Sequence, residues 1–431
     1  MKMKLFSIGI LLLFCNALYA SKIDSIKMNF DFRTRLEVDH GNMTLIPKGV
    51  KAKTHVGSRA RIGIDAFFFS KLQLSLAIQD ARTWGESSST GVKLLNNIFY
   101  EAWASYWFTQ KVGIKIGRQN LSYDDERLIG GLDWAMQGRS FDALKGMFKL
   151  DSNSNSQIEL VVTYNNDNNK NNDTLGRTIY GISESGETTK SLQILHYKYK
   201  NDKKFQVSAI VLNNVLQTKL GKYYDMFTIG VNVKKYYKKV GIYGSAYYQG
   251  GKNTLGQKKS AYQISFNIDA LFHDKFTTIF GTEFLSGRKY NTPSDWNLSF
   301  SPLYGTNHGF NGFMDYFYVG NHFNTIGLND YYIKTTTKIA AKSTLKLNFH
   351  AFTANRKMGF DNNGKKISPF LGSEIDAVFI QKIGKIMTIN VGQSFMINGN
   401  SMKLIKQVPN PKPVQSWTWV CIKFDPHVRV K

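Results

Sequence analysis

The chain has 431 residues, a formal net charge of +25 at neutral pH, 14% aromatic residues and only two cysteines. So few cysteines exclude a disulfide-stapled scaffold. The excess of lysine and arginine points to an anionic partner: nucleic acid, anionic lipid or an anionic solute.

Residues 1–20, "MKMKLFSIGILLLFCNALYA", carry two lysines, a short apolar run from Leu5 to Phe14, and then small residues. That is the plan of a secretory signal, with cleavage expected after Ala20. The run is too short for a membrane anchor. Phe14 is too bulky for the position before a lipoprotein cysteine, so Cys15 is not expected to carry lipid. Residues 21–431 are then one exported unit with a single thiol, Cys421. No cysteine pairs with histidine at metal-ligand spacing, and no metal or cofactor is expected. Export argues against nucleic acid as the partner.

From there the sequence reads as strands. Runs such as "ELVVTYN", "FTIGVNVKKYY" and "TLKLNFHAFTA" alternate with a period of two. Eighteen strands are predicted to start near 26, 54, 71, 97, 111, 140, 156, 191, 203, 224, 239, 260, 275, 330, 343, 370, 385 and 414. Every second connection is short, as around Ser70, Gln110, Asp202 and Lys342. The others are long and polar: 84–96, 120–139, 166–190, 286–329 and 398–413. A sandwich or propeller has no reason to place its long loops at one end. An outer-membrane antiparallel β-barrel does, with tight periplasmic turns and long outer loops.

The predicted faces agree. In the first strand Met28, Phe30, Phe32, Leu36 and Val38 oppose Asn29, Asp31, Arg33, Arg35 and Glu37. In the second, Ile62, Ile64, Ala66 and Phe68 oppose Arg59, Arg61 and Asp65. In the fifteenth, Leu345, Leu347, Phe349 and Ala351 oppose Lys346, Asn348 and His350. An arginine at mid-bilayer on the lipid face costs about 2–4 kcal/mol, so the charged face is expected to line a wet lumen. The last strand, "SWTWVCIKFDP", resembles the aromatic terminal strand that outer-membrane assembly machinery recognises.

Lysines such as Lys71, Lys111, Lys203, Lys239, Lys275, Lys342 and Lys385 fall in or beside the short turns and are expected to form a solvated rim. Arginine is distributed differently: eight of the twelve lie between 33 and 139. Guanidinium groups stay charged and bind carboxylate or phosphate through paired hydrogen bonds. Arg33, Arg35, Arg59 and Arg61 therefore read as a lumenal anion path. The alternative is a salt ladder with Asp31, Glu37, Asp65 and Glu101, and the two readings coexist. Arg82 and Arg118 fall on the apolar phase, which puts them at the outer lip or after a bulge.

"GRQNLSYDDERLIGGLDWAMQGRSFDALKGMF" (117–148) resembles the signature of the alginate-export family of bacterial outer-membrane barrels. "SRARIGIDAFF" (58–68), "LAIQDARTWGE" (76–86) and "SPLYGTNHGFNGFMDYFYVG" (301–320) resemble the same family. The resemblance implies an 18-stranded monomeric barrel with a constricted, electropositive lumen through which a uronic acid polymer passes outward. Position by position, it implies roles for Arg59, Arg61, Arg118, Arg127, Arg139 and Asp142 in the pore. It also implies that Asp133 and Trp134 belong to a loop folding over or into the mouth.

The expected partners are thus an anionic solute or polysaccharide, outer-membrane lipid and the assembly machinery. The leading expectation is a passive anion channel. The alternative is a surface receptor or adhesin that uses the barrel as a scaffold. The aromatics of loop 286–329, among them Trp296, Tyr304, Phe310, Phe313 and Tyr318, are expected either to stack on sugar rings or plug the mouth, or to form a small cluster that only stabilises the loop. No enzyme is expected: His196, His308, His322 and His350 read as scattered polar residues with no nucleophile–base grouping.

Overall fold

A computed structural model describes residues 23–86, 99–165, 189–201, 204–218, 221–289, 292–317, 322, 325–360 and 363–430. The predicted signal at 1–20, most of the loops 84–96 and 166–190, Lys203 and Tyr318 lie outside the described residues.

The strands are Ile23–His40 (β1), Lys53–Phe68 (β2), Leu72–Thr83 (β3), Phe99–Trp107 (β4), Val112–Gln119 (β5), Phe141–Lys149 (β6), Ser156–Tyr164 (β7), Thr189–Asn201 (β8), Phe205–Gln217 (β9) and Tyr223–Tyr237 (β10). They continue with Val240–Lys252 (β11), Lys258–His273 (β12), Phe276–Leu285 (β13), Trp296–Asn297 (β14), Leu328–Ala340 (β15), Ser343–Thr353 (β16), Phe370–Ile383 (β17), Met387–Asn398 (β18), Val414–Phe424 (β19) and His427–Val430 (β20).

All but β14 and β20 build the wall, which is a closed 18-stranded antiparallel barrel. β13 pairs with β15 across the long loop, and β19 closes onto β1 with Phe32 opposite Phe424 and His40 opposite Ser416. Closure leaves the wall without a free edge. β20 extends β19 past Asp425 and Pro426 and pairs with Ile26–Asn29 of β1. Each predicted strand start falls within three residues of the observed one. Both ends of the chain's barrel domain and the short turns share one rim, the periplasmic one by the barrel rule.

The faces follow the period of two. Phe32, Leu36, Ile62, Ile64, Leu347 and Phe349 are exposed outward, whereas Arg33, Arg35, Arg59, Asn348 and His350 are buried inside. An outward apolar belt is what hydrocarbon requires. Trp417 and Trp419 of β19 face inward and are buried.

The expectation of a wet lumen needs correcting in the outer half. The loops 120–140 and 292–317 turn into the barrel, and Leu121, Leu128, Ile129, Leu303, Tyr304 and Met314 pack into a buried core. Leu192, Ile194, Ile210 and Leu212, on the inner face of β8 and β9, meet that core. Their outward neighbours Leu195 and Val211 are exposed. Those two strands are apolar on both sides, because lipid lies outside and a packed loop inside. Helix α1, Asn400–Lys406, lies in the loop between β18 and β19 and buries Met402.

Candidate functional site in the lumen

The register of β1 and β2 sets Arg33 opposite Arg59 and Asp31 opposite Arg61, so four lumenal charges stand side by side. Asp31 Oδ2 accepts from Arg33 Nη2 at 2.8 Å and from Arg59 Nη2 at 2.5 Å. The inward loop supplies a second bridge: Asp133 Oδ2 lies 3.1 Å from Arg33 Nη2 and Asp133 Oδ1 lies 2.9 Å from Arg59 Nη2. Arg59 is 0% exposed. Burial alone would raise the Asp133 carboxyl, but the guanidinium groups of Arg33 and Arg59 outweigh it and hold it below the usual aspartate range.

Arg35 donates from Nε to Glu37 at 2.8 Å and from Nη1 to the Trp134 carbonyl at 3.0 Å. Its guanidinium also lies 4.0 Å above the Trp134 ring. That ring stacks on His308 at 4.1 Å and meets Trp419 edge-on at 4.9 Å. Asp133 and Trp134 therefore sit in a loop folded into the barrel against the β1, β2 and β19 wall. Tight turns hold the loop, with Ala135 N bonded to Leu132 O and Gly138 N to Ala135 O. Gly138 has φ +62, and a Cβ there would stand 2.9 Å from the Tyr100 ring and 3.1 Å from Arg61 Nη2.

Arg61 differs from its neighbours. Its Nε and Nη2 donate to Gln79 Oε1 at 3.1 and 2.8 Å, and it lies 3.3 Å above the Tyr100 ring. Among the described residues no carboxylate pairs with it. It borders a cavity of about 280 Å³ that Asp31, Tyr100, Glu101 and Lys423 also line. Glu101 accepts the Asn120 amide at 2.8 Å, which fastens the start of the inward loop to β4.

The remaining predicted residues are elsewhere. Arg127 is inside the barrel but 1% exposed, 2.8 Å from Glu283 and bonded to Asn311 at 3.0 Å. It anchors the loop and meets no open pore. Arg139 donates to the carbonyls of Gly130, Tyr304 and Gly305, tying the two inward loops together. The pore assignment of Arg118 and Asp142 is corrected. They face each other across β5 and β6 on the phase of Ile116 and Leu144, which are exposed outward. There they pair at 3.5 Å. Arg82 is likewise outward, bonded to Asp80 at 2.6 Å.

Two features escaped the sequence reading. Glu283, Asp330, Glu374 and Asp376 are buried on the inner faces of β13, β15 and β17, and β17 lies three strands from β1 by way of β18 and β19. The signal was present in "GSEIDAVF", where Glu374 and Asp376 alternate with Ile375 and Ala377. The histidines are not scattered either. His196 pairs with Asp124 at 3.0 Å, His308 with Asp315 at 2.9 Å and His350 with Asp330 at 2.9 Å.

A family profile described as alginate export matches residues 24–403. No curated protein matches the sequence. Among solved structures the fold is similar to OpdO of Pseudomonas aeruginosa, with TM-score 0.62, 8% identity and coverage of 96% of this chain and 100% of that one. It is also similar to OccAB4 of Acinetobacter baumannii, with TM-score 0.61, 9% identity and coverage of 94% and 99%. OpdK of Pseudomonas aeruginosa gives TM-score 0.60, 8% identity and the same coverage. At such identity these are likenesses of fold. With the family matched over most of its length and the barrel closed as an outer-membrane wall, the chain belongs to the alginate-export family and is an integral outer-membrane β-barrel.

Proposed function

We propose that this protein is a porin-like channel for anionic solutes, acidic polysaccharide such as alginate among them, with the β1–β2 arginine wall as its selective element. The observation that carries the reading is Arg61, a lumenal guanidinium with only neutral partners that borders a cavity. A fixed cation that no carboxylate pairs directly is open to mobile anions in a pore. Lys27, Lys149 and Lys338, on the inward phase nearer the periplasmic rim, add to the same field.

The test is a reversal potential across a planar bilayer in a salt gradient, repeated with uronate oligomers. Wild type is expected to favour anions over cations. Arg59→Ala with Arg61→Ala is expected to lower that preference while the barrel stays folded by heat-modifiable gel migration. Cation selectivity in the wild type would overturn the reading. The packed outer half favours one second reading, a surface receptor whose barrel is only a scaffold. That reading requires no current at all.

A further inference from the structure

Lysines crowd the rim that carries the short turns. Lys71, Lys111, Lys239, Lys275, Lys342 and Lys385, each in or beside a different turn, are all exposed. Acidic residues nearby are few, and two of them are already engaged. Asp24 accepts the Ser70 amide at 2.6 Å, and Asp151 accepts those of Asn155 and Ser156 at 2.8 Å. Among the described residues Asp274 lies beside Lys275 and Asp425 pairs with Lys423 at 3.0 Å, and the six turn lysines outnumber Asp24, Asp151 and Asp274 two to one.

A second feature shares the same turns. Phe69, Phe108, Tyr237, Phe272, Ile339 and Ile386 are 49–69% exposed, and each lies within three residues of one of those lysines. One such side chain in water is ordinary. Six around a single rim form a belt, and large apolar and aromatic side chains at strand ends mark the depth of the headgroups. A solvated rim accounts for the lysines but leaves this belt unexplained. From that depth a lysine keeps its methylenes in the interface and extends its ammonium to the phosphate layer.

We propose that the periplasmic rim is a binding collar for anionic phospholipid headgroups of the inner leaflet, of the phosphatidylglycerol type. The discriminating chemistry is net charge. A phosphatidylglycerol phosphate has no cation of its own, whereas the phosphate of a zwitterionic lipid is already neutralised by its own headgroup. Juxtamembrane lysines attract anionic lipid in this way at general sites, with a strength that falls as salt rises.

The full-length protein would be reconstituted with trace spin-labelled phosphatidylglycerol or phosphatidylcholine, and the motionally restricted fraction of each label measured. The expected result is a preference of about fivefold for phosphatidylglycerol at low salt, falling towards one as sodium chloride is raised. The preference is expected to disappear in a variant combining Lys71→Gln, Lys111→Gln, Lys239→Gln, Lys275→Gln, Lys342→Gln and Lys385→Gln. Equal association of both labels, a preference insensitive to salt, or a variant that keeps the full preference would each overturn the proposal. If the variant fails to insert, the salt titration of the wild type decides alone.

Discussion

Asp133 and Arg59 stand 74 residues apart in sequence and 2.9 Å apart at the inner wall of the barrel. Asp31 contacts the same Nη2 at 2.5 Å, so Arg59 stays paired if Asp133 is neutralised. Asp133→Asn removes one negative charge from the arginine cluster and loosens the loop. On the channel reading, the anion-to-cation permeability ratio is expected to rise about twofold, the scale of one partly screened charge. The amides of 132–138 should exchange faster. The Asp133 carboxyl is held below its ordinary value of 3.8. Its contribution is therefore present at neutral pH and lost only as pH falls through that depressed value. Wild type should match the variant only below pH 3.8, and a fall in the permeability ratio of the variant would show that Asp133 does not offset the charge of the arginine cluster.

The Arg127–Glu283 pair is of another kind, with both side chains almost fully buried. Arg127→Ala leaves Glu283 charged, dry and uncompensated, a change that costs about 3–5 kcal/mol. Combining Arg127→Met with Glu283→Gln is expected to recover most of the loss, because no charge is then stranded. Proteolysis within 301–317, where Asn311 bonds both partners, measures it. A single variant as resistant as the wild type would show that the pair does not hold the loops in.

Strand starts and faces were legible because each depends on local alternation: Arg33 and Arg59 had to face away from lipid wherever the loops went. The loop contacts were not legible. The partner of Arg127 is 156 residues away, and nothing in "RLIGG" separates an anchor from a pore residue. Asp142 was misplaced although its own strand held the signal, since it shares the phase of Leu144. Strands β8 and β9 hid the packed interior for a different reason. An inner face that meets a folded loop is as apolar as one that meets lipid, so alternation fades where the barrel is plugged.

Trp134 is the hydrophobic anchor of the inward loop. Its ring lies between Arg35 and His308 and against Trp417 and Trp419. Trp419 in turn lies over Gly392 on the neighbouring strand, where a Cβ would stand 2.1 Å from its ring. Trp134→Ala is expected to weaken loop docking by about 3 kcal/mol. Gly392→Ala should act on the same contact indirectly by displacing Trp419. Both variants are expected to raise single-channel conductance, Trp134→Ala the more. Unaltered conductance in both would mean that this loop does not narrow the path.

Lys406 at the end of α1 donates to the Tyr316 carbonyl and lies 5.9 and 5.8 Å from the Tyr316 and Phe317 rings. Burial pulls its pKa from 10.5 down to about 7. Between those values the unfolded segment holds a proton that the folded one has released. Stability of the docked helix therefore rises with pH from about 7 to 10.5 and is lost as pH falls back through that window. Lys406→Met has no proton to exchange and should flatten the dependence. The measurement is cleavage within 400–407 by a protease specific for apolar residues, with wild type and variant compared at each pH. The wild-type rate relative to the variant is expected to be highest at pH 7 and to fall steadily towards pH 10. A ratio constant across that range would mean that the ammonium is not buried against Tyr316 and that α1 docks through Met402 alone.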